Sequence, residues 1–152
     1  MLREKALEKI SGNLVGNKDV LRYLKEISQE YILTICLGSG TQINEAFRAK
    51  GYPIKFGKQG RICETLEQSL FAYEIQKKNK KDFEDVLIAE GINAIVEIPV
   101  VIENGIIRHI NGDDYIRDAK GYDRKEVLTF EKRVKDKKEQ FKNYPEIKIK
   151  GF

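Results

Sequence analysis

Histidine, cysteine, tryptophan and proline are scarce in this chain of 152 residues, and their scarcity excludes several kinds of site. The sequence has no tryptophan, one histidine, two cysteines and three prolines. Two cysteines, Cys36 in an apolar run and Cys63 beside an arginine, do not make a disulfide framework, so we expect reduced thiols. A single histidine excludes a histidine-rich metal site. Any Ser–His–Asp or Cys–His arrangement would have to use His109, and nothing in the sequence places a nucleophile near it.

The chain also lacks a long hydrophobic run. No stretch approaches the roughly 20 apolar residues of a membrane span, and the opening residues, MLREKALEK, contain no apolar signal-peptide core. We therefore expect a cytoplasmic protein without membrane association. With 41% hydrophobic residues, the length suits one domain whose core needs no disulfide or metal.

Neither sign of charge dominates, since 28 basic and 24 acidic side chains give a net charge of +4. This balance suits a small anionic ligand at least as well as nucleic acid. Residues 131–142, the richest basic stretch, mix both signs as a solvated helix face does. A nucleic-acid-binding protein is an alternative, but aromatic residues do not cluster beside the basic ones, so we predict no nucleic-acid partner.

The stretch 31–47, YILTICLGSGTQINEAF, is the most informative in the chain. The apolar run Ile32 to Leu37 predicts a buried strand, and Gly38-Ser39-Gly40 predicts a tight turn. A helix follows as far as Gly51, with Ser39 and Gln42 fitting a capping box. Backbone N–H groups at such a helix start favour an anion. A plain strand–turn–helix connection is the alternative interpretation.

Strands and helices alternate along the rest of the chain. This alternation predicts an α/β fold, a three-layer sandwich with a mostly parallel open sheet, helices on both faces and a β-hairpin near 100–110. The hairpin is indicated by Asn104-Gly105, which suits a type I′ turn. The expected strands are 6–10, 32–37, 92–99, 125–130 and 147–150, and the expected helices begin near Asp19, Ser39, Thr65, Asp82 and Asp113.

Three polar turns should meet at one edge of this sheet. Residues 11–13, 38–40 and 111–113 each follow a predicted strand, and ligands bind beyond the carboxyl ends of parallel strands. The glycine-rich basic loop 57–61 is a further place where a ligand could be held. We therefore expect one crevice lined by these segments.

Four motifs resemble those of the amino-acid kinase family, which includes acetylglutamate, aspartate, carbamate and uridylate kinases. Residues 9–13 (KISGN) resemble its K-x-G-G-S start, and residues 38–44 (GSGTQIN) resemble its second glycine motif, in a form closest to acetylglutamate kinase. Residues 60–64 (GRICE) are similar to the loop whose arginine holds the substrate carboxylate. Residues 111–113 (NGD) resemble the N-A-D motif. The order is the family's, and the resemblance covers nearly the whole chain.

The resemblance implies a phosphotransferase that uses ATP and Mg²⁺ to phosphorylate a carboxylate, such as an acylamino acid, or a phosphate. Phosphoryl transfer asks the protein mainly for positioning and charge neutralisation. No side-chain metal site is implied. The implied residues are Lys9 and Asp113 for catalysis, Gly12, Gly38, Ser39 and Gly40 for the phosphates, and Arg61, Asn111 and His109 for the acceptor.

Plainer interpretations remain open for each charged residue. Lys9 could be a solvated lysine at a strand end, Arg61 a surface arginine, and Asp113 the N-cap of a helix. The matching alternative for the whole chain is a non-catalytic anion-binding or interaction module derived from the same fold.

The resemblance also implies a division of the chain. Residues 1–128 would form the acceptor-binding lobe, and residues 129–152 the start of an incomplete nucleotide-binding lobe. Such a chain should expose apolar surface around Val127, Leu128 and Phe130. Because the family commonly pairs these lobes, a homo-oligomer is expected.

Overall fold

A sheet of five parallel strands is the centre of the computed structural model, which describes residues 2–152. Over these residues the strands are β1 (Lys5–Ser11), β2 (Ile32–Gly38), β3 (Lys55–Gly57), β4 (Gly60–Ile62), β5 (Ala94–Glu97), β6 (Val100–Glu103), β7 (Ile106–His109), β8 (Arg124–Thr129) and β9 (Ile147–Gly151). The sheet order is β5-β2-β1-β8-β9, and two antiparallel hairpins, β3–β4 and β6–β7, stand apart from it.

Helices cover both faces of this open sheet, as the alternating sequence predicts. They are α1 (Lys18–Glu30), α2 (Gly40–Lys50), α3 (Leu66–Ala89), α4 (Gly112–Asp118) and α5 (Val134–Gln140), with short 3-10 turns at Gly12–Leu14 and Glu131–Arg133. Leu24 of α1 and Phe83 of α3 pack on the face that carries Ile10 of β1. Ile116 of α4 packs on the opposite face, which carries Leu7. The predicted three-layer α/β architecture is confirmed.

The predicted hairpin at 100–110 is also confirmed. Asn104 and Gly105 have φ values of 51° and 75°, the two positive angles that a type I′ turn requires. The segment 55–62, which includes the predicted loop 57–61, forms the second hairpin. The backbone N–H of Asn111 donates to the carbonyl of Gln59 in its turn, over 3.3 Å. This contact holds the hairpin against the segment that leads into α4.

One long helix replaces two predicted ones. Helix α3 runs without a break through Asp82, where a second helix was expected to begin. The lysine-rich stretch before Asp82 lies within this helix, and its side chains form exposed ion pairs along it, Lys78 with Asp82 at 2.7 Å and Lys81 with Asp85 at 2.6 Å. Pairs at this i, i+4 spacing support a continuous helix.

The helix starts at Thr65 and near Asp19 differ in how well the sequence predicts their caps. Thr65 does cap α3, accepting from the N–H of Gln68 at 3.1 Å. Helix α1, however, is capped by Asn17, whose side chain accepts from the N–H groups of Asp19 and Val20. Asp19 therefore lies inside the first turn, where its charge still suits the helix dipole.

The last part of the chain extends the same sheet. Strand β9 lies parallel to β8, with Lys125 beside Ile147 and Thr129 beside Gly151. Val127 and Leu128 are 0% and 1% exposed, so the expected apolar surface at these two positions is wrong. Assigning residues 129–152 to a separate lobe stays a prediction. Among residues 2–152, no helix combines the length and apolar character that a membrane crossing demands.

Candidate functional site

A cavity of about 240 Å³ lies at the carboxyl ends of β1 and β2. These strands are neighbours in parallel register, with Ser11 beside Gly38, so the turns that follow them start side by side. The turn 38–40, residues 60–61 of the β3–β4 hairpin, residues 109–112 and Gln76 of α3 are also part of the lining. The structure thus brings seven of the nine predicted site residues to one cavity: Lys9, Gly38, Ser39, Gly40, Arg61, His109 and Asn111.

Asp113 joins two lysines beneath this cavity. Its Oδ1 lies 3.3 Å from Nζ of Lys9 on β1, and its Oδ2 lies 2.5 Å from Nζ of Lys137 on α5. Nε2 of Gln140 also donates to Oδ2, at 2.9 Å. Asp113 and Lys137 are buried, and the Lys9 side chain is only 14% exposed. Lys9 is therefore not a solvated strand-end lysine.

Asn111, rather than Asp113, caps the helix that carries this carboxylate. Its Oδ1 accepts from the N–H of Asp113 at 3.0 Å, so the interpretation of Asp113 as an N-cap is wrong. The cap leaves the Asp113 side chain free for the lysines. A Cβ at Gly112 would lie 2.8 Å from Cε of Lys9, so a side chain at residue 112 would displace the end of the Lys9 side chain.

The lysines outweigh the effect of burial on Asp113. Burial alone would raise the pKa of Asp113, but Lys9, Lys137 and Gln140 together lower it to about 2. Burial also lowers the pKa of Lys137, even though Asp113 opposes that change. Lys9, Asp113 and Lys137 form a trio with one carboxylate between two ammonium groups, so its net charge is one positive unit. Lys9 carries that charge to the cavity wall.

The two glycine turns pack against each other. A Cβ at Gly12 would lie 2.7 Å from the carbonyl oxygen of Gly38. Asn13 donates to Oγ1 of Thr41 at 3.1 Å, which links the turns further. Gly12 itself lines a smaller neighbouring cavity and not the one that Lys9 and Arg61 line. Its place in the site is to let the 38–40 turn come close, and direct phosphate contact by Gly12 stays a prediction.

Ser39 does not form the predicted capping box. Its hydroxyl is 3.0 Å from Nδ2 of Asn79 on α3, and its side chain makes no capping bond to α2. The capping prediction is wrong because a partner 40 residues away in sequence takes the hydroxyl. The first-turn N–H groups of α2, which follow Gly40 at the cavity, are therefore left uncapped by a side chain and can serve an anion.

Arg61 lies at the cavity without an acidic partner among residues 2–152. Nη2 donates to Oδ1 of Asn44 at 2.7 Å and to the carbonyl of Gly40 at 3.3 Å. The guanidinium carbon lies 5.2 Å from the ring centre of Phe47 and 4.8 Å from that of Phe56. Nη1 is buried without a partner. Arg61 is therefore not a plain surface arginine but a half-buried cation, the pKa of which is lowered by burial.

His109 lines the cavity, but its ring nitrogens are engaged by α3. Nε2 lies 3.0 Å from Oγ of Ser69, and Nδ1 lies 3.1 Å from Oε1 of Gln76. Burial lowers the pKa of His109, and the nearby Arg61 adds to this effect, so the ring is neutral at pH 7. The predicted role of His109 in binding substrate thus cannot use a free ring nitrogen in this arrangement.

Several residues of the site were missed at the sequence level. Lys137 lies in the charged stretch 131–142, which suggests a solvated face, yet its exposure is only 7%. Its spacing to Phe141, four residues on and also buried, places both on one helix face. Phe141 was therefore the local feature from which the burial of Lys137 could have been predicted. The others, Gln140, Asn44, Gln76 and Asn79, are polar partners that no local pattern distinguishes.

Neither a family model nor a curated protein sequence matches this chain. Over residues 2–152, no group of three or more histidine, cysteine, aspartate or glutamate side chains is arranged to hold a metal ion. Membership of the amino-acid kinase family stays a prediction, and the functional argument depends on the geometry of the cavity.

Proposed function

We propose that this chain is a phosphotransferase of the amino-acid kinase type, which transfers the γ-phosphate of ATP to a small carboxylate or phosphate acceptor. The observation that supports this most is the buried trio in which Asp113 joins Lys9 and Lys137. It holds excess positive charge beside two glycine turns. Phosphoryl transfer requires such charge, because negative charge spreads over the equatorial oxygens in the transition state.

Each member of the trio has a separate part in the proposal. Lys9, at the cavity wall, neutralises charge on the transferring group. Asp113 fixes the direction of the Lys9 side chain, since its other oxygen is anchored by Lys137 and Gln140. Lys137 keeps the trio cationic. Together they preserve the position of the charge without needing to reorganise during the reaction.

The residues present suit the phosphates of ATP. The uncapped first turn of α2 and the backbone of Gly38 and Gly40 offer N–H donors, and Lys9 offers a cation. ATP supplies the phosphoryl group when bound, and Mg²⁺ neutralises part of its charge. Ser39 contributes through its backbone, because its hydroxyl is bonded to Asn79.

Arg61 is the proposed anchor for the acceptor. A half-buried guanidinium without an acidic partner gains most from an anion, and its planar fork suits a carboxylate or a phosphate. The rings of Phe47 and Phe56 hold its plane. The expected ligand is therefore a small anion and not a nucleic acid. Self-association into a homo-oligomer is a further expectation, for which light scattering at two protein concentrations is the measurement.

A non-catalytic anion-binding module is the second candidate, and one observation favours it. Lys137 does not line the cavity, and its ammonium group is occupied by Asp113 and Gln140. The trio would then be a structural tie between β1, α4 and α5. In this case the cavity binds an anion but transfers nothing to it.

Release of ADP separates the two candidates. The purified protein is incubated with ATP, Mg²⁺ and one of three acceptors, N-acetyl-L-glutamate, carbamate or uridine monophosphate. We expect ADP with at least one acceptor, and a loss of about 100-fold or more in kcat for Lys9→Met, because a preorganised charge is removed. Lys5→Met is the matched control, since Lys5 lies on the same strand but is exposed. No ADP together with a raised melting temperature in the presence of an acceptor supports the module instead.

A further inference from the structure

Gln76 places an unpartnered amide at the cavity. It lies in the middle of α3, is only 3% exposed and contributes to the lining. Its Oε1 is taken by Nδ1 of His109. Among residues 2–152, no group accepts a hydrogen bond from its amide nitrogen, and this nitrogen is not among the buried atoms that are sealed from solvent. The amide N–H₂ is therefore directed to the cavity.

The neighbours of Gln76 fix the direction in which its amide points. The single proton of the Ser69 hydroxyl has two acceptors within reach, the carbonyl of Ile107 at 3.2 Å and Nε2 of His109 at 3.0 Å. Oε1 of Gln76 faces Nδ1 of His109 at 3.1 Å and can only accept, so the single proton of the neutral ring belongs on Nδ1, and the hydroxyl then donates to Nε2. The chain of donors runs from Ser69 through His109 to Gln76 and ends in the cavity.

The opposite arrangement would reverse this polarity. If the ring proton lay on Nε2, it would point to the backbone carbonyl of Ser69 at 3.2 Å. Nδ1 would then need a donor, and Gln76 would have to turn its N–H₂ to the ring and its carbonyl to the cavity. The tautomer of His109 therefore decides whether the cavity offers a donor or an acceptor.

We propose that Gln76 is a ligand-binding residue that donates a hydrogen bond to an uncharged oxygen of the molecule held by Arg61. His109 and Ser69 are positioning residues, which keep the amide pointing outwards. The proposal deepens the proposed function by naming the acceptor class, a small monoanion with a second, uncharged oxygen such as a carbonyl. An amine at that place is disfavoured, because it would meet another donor.

The size of the cavity fits this class. Its volume of about 240 Å³ is below the roughly 300 to 1,000 Å³ of pockets for drug-sized ligands. Arg61 supplies the charged contact, and Gln76 supplies a neutral one. Lys9, the other cation at the cavity, is assigned to the transferring phosphoryl group. Recognition of the acceptor by Arg61 and one neutral donor then selects for a single charge on the ligand together with a polar group that carries none.

The test uses four probes with one carbon skeleton: pentanoate, 2-oxopentanoate, 4-oxopentanoate and 4-aminopentanoate. Binding is followed by two-dimensional ¹H–¹⁵N NMR of the full chain, which resolves the side-chain N–H₂ signals of glutamine. The Gln76 signals are assigned by their loss in Gln76→Leu. We expect at least one oxo acid to bind about fivefold more tightly than pentanoate, as one neutral hydrogen bond allows. It should also shift the Gln76 signals, whereas 4-aminopentanoate should bind no better than pentanoate.

Two variants separate a ligand contact from a structural effect. Gln76→Leu should remove the fivefold preference for the oxo acid while pentanoate still binds. Gln68→Leu is the matched control, because Gln68 is similarly buried on the same helix but does not line the cavity, and it should keep the preference. If Gln76→Leu does not fold, the Gln76 signals in the unmodified protein, assigned by sequential experiments, carry the test.

The ¹⁵N chemical shifts of the His109 ring test whether His109 and Ser69 position the Gln76 amide. We expect Nδ1 to carry the proton at pH 7.5, and Ser69→Ala to move the proton towards Nε2 with a loss of the oxo-acid preference. A ring protonated on Nε2 in the unmodified protein would overturn the proposal, as would unmoved Gln76 signals or no binding of any probe. None of these measurements needs ATP. A protein that releases no ADP but shows the Gln76 shift would refute the phosphotransferase while the inference stands.

Discussion

Replacing Asp113 with asparagine tests whether the buried trio is organised by charge. Asparagine has nearly the same size and can still bond to Gln140, but it removes the only anion between two buried lysines. The ammonium groups of Lys9 and Lys137 would then face each other across a neutral side chain. The substitution thus changes the electrostatics of the trio and leaves its packing almost unaltered.

The size of the effect follows from the pKa of Asp113. Its lowering from 3.8 to about 2 corresponds to about 2.5 kcal/mol of preference for the charged form, at 1.36 kcal/mol per pH unit. Breaking a buried pair by removing one partner typically costs about 3 to 5 kcal/mol. We therefore expect Asp113→Asn to lower the free energy of unfolding by about 2 to 4 kcal/mol at pH 7.

The direction of the Asp113 pKa shift predicts how the loss of stability depends on pH. Because the folded-state pKa is the lower one, the contribution of Asp113 is fully present above its unfolded value of 3.8 and is lost as the pH falls towards 2. Urea unfolding, followed by circular dichroism, should show a constant difference between the two proteins from pH 5 to 7. The difference should shrink at pH 3.

Asp114→Asn is the matched control for this experiment. Asp114 is the next residue on α4, and its ion pair with Arg117 at 2.9 Å is partly exposed, so its loss should cost less than about 1 kcal/mol. A loss for Asp113→Asn no greater than that of the control would refute the electrostatic account. So would a difference between the two proteins that does not change between pH 7 and pH 3.

Three further substitutions test other parts of the structure. Burial and the neighbouring Glu126 raise the pKa of Glu8. Stability should therefore fall as the pH rises above about 5, and Glu8→Gln should flatten that slope in thermal unfolding, by up to about 1.4 kcal/mol per pH unit. An unchanged slope contradicts this. Gly12→Ala should cost about 1 to 3 kcal/mol by overpacking the turns, whereas Gly16→Ala, which meets no atom within 4 Å, should cost less than 1 kcal/mol in the same urea assay. Gly60→Ala should abolish binding of the small carboxylate probes in calorimetry. The φ angle of Gly60 is +136°, and a Cβ there would strike the carbonyl of His109. Retained binding would show that the β3–β4 hairpin does not position Arg61.

The parts of the fold that depend on local pattern could be predicted from the sequence. The apolar run of β2 and the glycines after it define a buried strand and its turn, and Asn104-Gly105 defines the hairpin. Parallel strands leave their carboxyl ends at one edge, so the meeting of Lys9 with the 38–40 turn also follows from the strand order. These features need only a few neighbouring residues.

Two features that failed depend on partners far away in sequence. Ser39 satisfies the local rule for a capping box, yet Asn79 takes its hydroxyl. Lys137 looks like part of a solvated charged face, yet Asp113 binds its ammonium group. In both cases a tertiary contact overrides the local pattern. Asp82 also satisfies the rule for a helix start, but the ion pair that it forms is local, with Lys78 one turn earlier on the same helix.

The energetics of the trio favour a role in positioning over a role in stability. Burial lowers the pKa of Lys137 despite the contact with Asp113, because the loss of hydration of that ammonium group outweighs the attraction to the carboxylate. Apolar residues of similar volume often replace such buried ion pairs without loss of stability. Lys137 is nevertheless buried beside Asp113, the carboxylate that faces Lys9. The simplest explanation is that Lys137 maintains the positive charge of the trio. An anion bound at Lys9 would neutralise that charge, so ligand binding and the stability of β1, α4 and α5 should be coupled.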